Sequence, residues 1–125
     1  MTLPNEYQTV MPYLLLDDCK QFVAFSTKVF NAKERIEMRA MRDEQLYFHG
    51  EIKIGDSTIM FLDTNGPTGI QVSSLFIYVE NADETYALAL KEGAASVMEL
   101  CDQPYGRTCG IKDPLGNTWW ITSIK

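Results

Sequence analysis

Few residues in this chain could do chemistry, and the most informative of them lie close together. His49 is the only histidine, and Glu51 follows it two positions later in Tyr47-Phe48-His49-Gly50-Glu51-Ile52-Lys53-Ile54. In an extended strand, side chains alternate between faces. Tyr47, His49, Glu51 and Lys53 are therefore expected on one face, and Phe48, Ile52 and Ile54 on the other. The apolar face should pack on helices, which turns the His49 face toward a cavity. Imidazole titrates near neutral pH, so His49 with Glu51 nearby is a candidate general acid/base for isomerase- or lyase-like chemistry. The same pair could instead line a cavity wall and orient a ligand, or simply satisfy each other. As metal ligands the two fall short of the three or four protein ligands a zinc site needs. Asp63, with Asp102, would have to join them in a non-standard site.

A second group of candidates is aromatic. Trp119 and Trp120 are adjacent and must face opposite sides of their strand. Trp119 is expected under a helix. Trp120 is expected in the cavity beside Phe76 and Tyr78, with Phe61 and Tyr47 as further lining. Such a wall suits a flat or apolar ligand, unless Trp120 fills the space itself. In Tyr105-Gly106-Arg107, the guanidinium offers a planar fork for an anionic group and Tyr105 a hydroxyl. The competing reading pairs Arg107 with Asp102 or Asp113. Gly106 and Gly110 suggest a bulge or a close approach of another backbone. Cys19, Cys101 and Cys109 form no CxxC and read as reduced thiols, although Cys101 and Cys109 could meet on a strand–turn–strand unit.

Composition narrows the partners. Eleven basic and seventeen acidic residues give a net charge of −6, and the basic residues are scattered. Nucleic acid is not expected, because phosphate neutralisation needs a basic patch. No apolar run approaches the ~20 residues of a membrane helix, and the N-terminus does not read as a signal peptide. A cytoplasmic location is expected.

The elements that must position these residues occur twice. Residues 10–16 read as a strand, and Asp18 with Gln21 has capping-box spacing. Cys19, Phe22, Val23, Ser26, Val29 and Phe30 make one helical stripe, which Asn31 ends in a left-handed conformation. Residues 33–40, 46–54 and 57–63 are predicted strands, the last two joined at Gly55-Asp56. Thr64–Gly69 is a breaker cluster. The order then repeats: a strand over 72–80, a helix capped by Asn81 with Tyr86, Ala89 and Leu90 buried and Gly93 at its end, and strands over 95–101, 105–112 and 117–124. The predicted fold is α+β, a single domain over 1–125 built from two βαβββ repeats at about 8–65 and 70–125.

Several of these stretches resemble one family. Pro12-Tyr13-Leu14 leading into the Phe22–Phe30 helix, His49 through Ser57, Tyr105-Gly106-Arg107, and Asp113-Pro114-Leu115-Gly116-Asn117-Thr118-Trp119 occur in order, from about Met11 to Ile121. Together they resemble the vicinal-oxygen-chelate superfamily of glyoxalases, bleomycin-resistance proteins and dioxygenases, and within it the PhnB-like branch. The resemblance implies two modules whose curled sheets enclose a shared cavity, and a homodimer. It also implies four metal-ligand positions, which fall at about Val10, at Phe61 (Asp63 if the register slips by two), at Ser74 and at Trp120. Val, Phe and Trp cannot coordinate a metal, and a serine hydroxyl is a poor ligand. The usual metal site is therefore not expected, nor is any cofactor. The resulting expectation is a small-molecule-binding protein of this type, with an enzyme built on His49 and Glu51 as the alternative.

Overall fold

The computed structural model describes residues 1–66 and 68–124. Two helices and two open sheets form around one apolar core. The first sheet contains β1 (Tyr13–Leu16), β2 (Lys33–Glu34), β3 (Ala40–Met41), β4 (Tyr47–Ile54) and β5 (Ser57–Asp63). Its order is β1-β5-β4-β2, with β3 also on β4; β1 runs parallel to β5 and the other pairs are antiparallel. The second contains β6 (Ser74–Tyr78), β7 (Ala95–Gln103), β8 (Gly106–Lys112) and β9 (Thr118–Ser123), in the order β6-β9-β8-β7. Here too the first strand is parallel to the last, so both sheets have the same plan. Neither sheet closes on itself. Among the described residues, no helix is long and apolar enough to cross a membrane.

Helix α1 (Cys19–Phe30) forms where its caps predict. The Asp18 carboxylate accepts from the Gln21 N–H, and Asn31 takes φ 56° at the C-terminal end. The buried stripe is wider than expected because Phe25 joins it. Phe22 meets Phe61 of the first sheet edge-on, with ring centroids 5.3 Å apart, and Phe30 meets Trp119 of the second at 4.4 Å. One helix thus packs on both sheets. Helix α2 (Ala82–Lys91) starts at Asn81, whose side chain accepts from the Glu84 N–H. It buries Ala82 and Ala89; of the residues expected on its buried face, Tyr86 is only partly buried and Leu90 is exposed.

The buried carboxylates are pins. Asp63 accepts from the N–H of Cys19 at 2.9 Å and of Tyr47 at 2.8 Å, tying the start of α1 to β4 and β5. Asp113 receives three donors from the Asp113–Asn117 turn and a fourth from the Trp119 indole of β9, which explains the DPLGN run.

Two sequence expectations need correction. Residues 33–40 are not one strand: β2 and β3 are separated by a 3-10 turn at Ile36–Met38. The helical propensity of this stretch survives as that turn, and a two-pronged Arg39–Glu34 ion pair, both contacts 2.6 Å, spans it. Strand β1 begins at Tyr13 rather than residue 10; Pro12 contributes only its carbonyl, which accepts from the Met60 N–H. Within the breaker cluster, Pro67 lies outside the described residues.

Candidate functional site

Cross-strand register decides which residues share a face. Gly50 is opposite Phe61 and Glu51 opposite Met60, while β1 places Tyr13 beside Met60 and Leu14 beside Phe61. The helix face therefore carries Leu14, Gly50, Ile52, Ile59 and Phe61. The open face carries Tyr13, His49, Glu51 and Met60. His49 and Glu51 lie on the side that alternation assigns them.

Tyr47 does not join them. The β3–β4 register slips between Ala40, opposite His49, and Met41, opposite Tyr47, so Phe48 is an extra residue. Such a bulge rotates the strand and brings the Tyr47 ring to the helix face, 5.6 Å from Phe61. Gly50 makes the room: a Cβ there would lie 2.3 Å from Phe61 and 2.6 Å from Tyr47. Tyr47 and Phe61, expected as ligand contacts, are both core residues in this chain.

Two residues not singled out in the sequence complete the polar group. The Tyr13 hydroxyl lies 2.9 Å from His49 Nδ1, and His49 Nε2 lies 2.8 Å from Glu51 Oε2. The Tyr7 hydroxyl donates to both Glu51 oxygens, at 2.9 and 2.7 Å. Tyr7 arrives on an N-terminal strap. Gln8 exchanges hydrogen bonds with the Thr58 backbone, Arg35 donates to the Asn5 carbonyl, and its guanidinium lies over the Tyr7 ring at 5.5 Å. The strap leaves Glu51 only 1% exposed. Burial, followed by the hydrogen bond to Glu51, raises the Tyr7 phenol above its ordinary pKa; burial and the charge of Glu51 do the same for Tyr13. The only sequence signal for either tyrosine is position: Tyr13 has the parity of the open face, whereas the strap pairs through side chains and long-range backbone contacts that no local pattern encodes.

The open face of the second sheet is aromatic. Phe76 is paired with Trp120 in register. Phe76 packs against Tyr78 at 5.2 Å and Tyr105 at 6.3 Å, and the three are 51%, 63% and 54% exposed. The Trp120 ring lies across Gly110, where a Cβ would come within 2.6 Å, and its indole N–H donates to the Ser74 hydroxyl at 3.0 Å. Gly110 thus accommodates a ring, whereas Gly106 is where the Ser123 backbone approaches closely. Arg107 is ion-paired at 3.1 Å with Asp83 and 3.6 Å with Asp102, not with Asp113.

A groove of about 910 Å³ runs between the modules, lined by Phe76, Tyr78, Leu75, Ile59, Val29 and Trp119 among others. His49, Glu51, Trp120, Tyr105 and Arg107 lie outside its lining. A single chain therefore does not place the polar and aromatic walls across one cavity. Cys101 lies opposite Thr108 on the open face, whereas Cys109 is buried on the other, so β7 and β8 hold the two thiols apart.

The side chains at the expected metal positions do not suit a metal. Val10 precedes β1, and Phe61 and Asp63 point to the core, with both Asp63 oxygens occupied by backbone N–H groups. The open-face position on β5 opposite Glu51 is Met60. Ser74 and Trp120 bond each other. Asp63 is not brought to His49 and Glu51, and among the described residues no three His, Cys, Asp or Glu side chains converge.

An uncharacterized protein of Mycobacterium tuberculosis (strain ATCC 25618 / H37Rv) is 28% identical over 127 residues, spanning 92% of this chain and 74% of the relative. A PhnB protein from Bacillus cereus superposes with a TM-score of 0.76 at 17% identity, covering 93% and 99% of the two chains. FosX, a fosfomycin resistance protein from Listeria monocytogenes, gives 0.71 at 13%, covering 94% and 93%. At such identities the two structures speak for the fold alone. The sequence profile of one family matches residues 8–121, and the chain belongs to the Glyoxalase/Bleomycin resistance protein/Dioxygenase superfamily.

Proposed function

We propose that the protein is a cytoplasmic homodimer that binds a small flat or apolar molecule without a metal, on the aromatic face of its second sheet. The observation that carries this reading is the exposed row of Phe76, Tyr78 and Tyr105 beside the flat-lying Trp120. Contiguous apolar surface left open to water marks a place where something binds. Aromatic faces pack well against planar ligands. Arg107 alternates to the helix side of β8 and pairs with Asp83 of α2, so it stands outside the aromatic row. Open faces on both sheets are also what a second copy would cover, and covering them would enclose the ligand.

Titration of the purified protein with a panel of planar heteroaromatic antibiotics and metabolites tests this, read by Trp fluorescence. Trp119 is buried in the core, so the response should vanish in Trp120→Phe. Phe76→Ala should weaken the same ligand by about tenfold, near the 0.5–1.5 kcal/mol of one aromatic contact plus lost area. If no panel member changes the fluorescence and Trp120 is packed with no void beside it in the dimer, the reading fails.

A further inference from the structure

The open face of the first sheet carries a directional chain of hydrogen bonds that ligand binding on the second sheet does not use. It runs from Tyr13 through His49 to Glu51, with Tyr7 behind. With the Glu51 oxygen as the acceptor at Nε2, that nitrogen carries the hydrogen and Nδ1 accepts the Tyr13 hydroxyl hydrogen. The outer end is a phenol on a side chain 45% exposed; the inner end is a carboxylate 1% exposed. Among the described residues no lysine or arginine pairs with that carboxylate. The guanidinium of Arg35 lies over the Tyr7 ring and pairs with Glu37, and Lys53 pairs with Glu6. Its hydrogen bonds come from Tyr7 and His49. If the only task were to satisfy Glu51, Tyr7 and His49 would suffice, and a half-exposed tyrosine held at 2.9 Å on the far imidazole nitrogen would have no purpose.

We propose that Tyr13, His49 and Glu51 form a proton-transfer site for small molecules with an acidic C–H next to an electron-withdrawing group. Tyr13 is the catalytic group, His49 takes its proton, and Glu51 is a positioning residue. As the Tyr13 oxygen takes the proton from the substrate carbon, its own proton passes to His49 Nδ1. The C–H bond breaks and its electron pair stays on the substrate. Tyr13 is again a phenol, and the positive charge rests on His49 against Glu51. Return of the proton through Tyr13 to another atom completes an isomerisation; in an elimination the C–H pair becomes the new π bond, the leaving group departs with the electrons of its own bond, and His49 gives its proton back through Tyr13 to the leaving group or to water. No oxidant, reductant or metal enters the balance. The raised pKa of Tyr13 agrees with a phenol that holds its proton at rest.

The test uses 5-nitrobenzisoxazole, a flat probe whose C–H cleavage breaks its N–O bond and releases a coloured cyanophenolate. Wild type should open it well above the buffer rate. Tyr13→Phe and His49→Ala should each lower kcat/KM on the order of 10²-fold, with unchanged circular dichroism. Glu51→Gln should lower kcat while leaving KM nearly constant, a split that general loosening of the fold would not give. His49 is the only histidine, so its ring nitrogens are unambiguous by ¹⁵N NMR, and the Nε2–H tautomer is expected. A wild type no faster than buffer, a fully active Tyr13→Phe, or an Nδ1–H tautomer would each overturn the proposal. None of these readouts depends on Phe76 or Trp120, so failure here is distinct from failure of ligand binding on the second sheet.

Discussion

Replacing Asp113 by alanine should remove the pin that holds the last turn of the second sheet. Asp113 is 3% exposed. One carboxylate oxygen accepts from the Leu115 N–H at 2.9 Å and the Asn117 N–H at 3.0 Å. The other accepts from the Asn117 side-chain amide at 3.0 Å and the Trp119 indole at 2.9 Å. Asn117 in turn accepts from the Ser73 N–H at 3.0 Å, so the pin extends to the entry of β6. Hydrogen bonds to a charged group contribute ~1.5–3 kcal/mol each. The four share one acceptor group and are not additive, and water can reach some of the donors once the carboxylate is gone. A loss of ~3–5 kcal/mol follows. Set against the ~5–15 kcal/mol typical of a domain, that leaves a folded but weakened protein. Urea unfolding followed by circular dichroism and Trp fluorescence should show a lower midpoint at unchanged slope. Asp113→Asn keeps one acceptor oxygen and should lose at least about half as much. A loss below ~1 kcal/mol for the alanine variant would show that these donors find water freely and that the turn is held by something else.

Other consequences can be tested separately. Gly50→Ala would put a methyl against Phe61 and Tyr47, and an overpacked core of this kind should lose ~1–3 kcal/mol in urea. Burial pushes the Cys109 thiol up to about 11 from an ordinary 9.0. The folded state then holds this proton more tightly than the unfolded chain, so the contribution is complete below pH 9 and is lost as pH rises toward 11. At ~1.4 kcal/mol per unit the loss is about 2–3 kcal/mol, and Cys109→Ala should flatten the fall of Tm over that range. Cys19 and Cys109 are buried and their thiols are held protonated by that burial, whereas Cys101 is only partly covered. Ellman's reagent at pH 8 should therefore titrate one thiol in the native protein and three after denaturation, and Cys101→Ser should abolish the native reaction.

Much of the fold was legible because its signals are local. The Asp18 and Asn81 caps, the left-handed Asn31, the Gly55 turn and the DPLGN run each act within a few residues, and each forms as read. The failures have different causes. In the β2–β3 stretch the local helical preference itself interrupts the strand as the Ile36–Met38 turn, which the Arg39–Glu34 pair spans. Leu90 looks helical and apolar, but the small residues Ala82 and Ala89 face the sheet.

The candidate sites divide in the same way. Alternation alone places His49 and Glu51 on one face and Trp119 and Trp120 on opposite faces, because a strand's side-chain period is two and needs no partner to set it. It fails at Tyr47, because a bulge exists only relative to the strand beside it. The sequence by itself therefore determined the α+β class with its two strand–helix–strand halves, the helix ends and the turn that Asp113 pins. Only the tertiary structure decided that Phe61 and Tyr47 are core, that Trp120 lies over Gly110 and bonds Ser74, and that Tyr13 and Tyr7, 36 and 44 residues from their partners, complete the group around His49 and Glu51. Hydrogen bonds over such separations depend on strand register and on a strap laid across the sheet, and both are settled only when the whole chain packs.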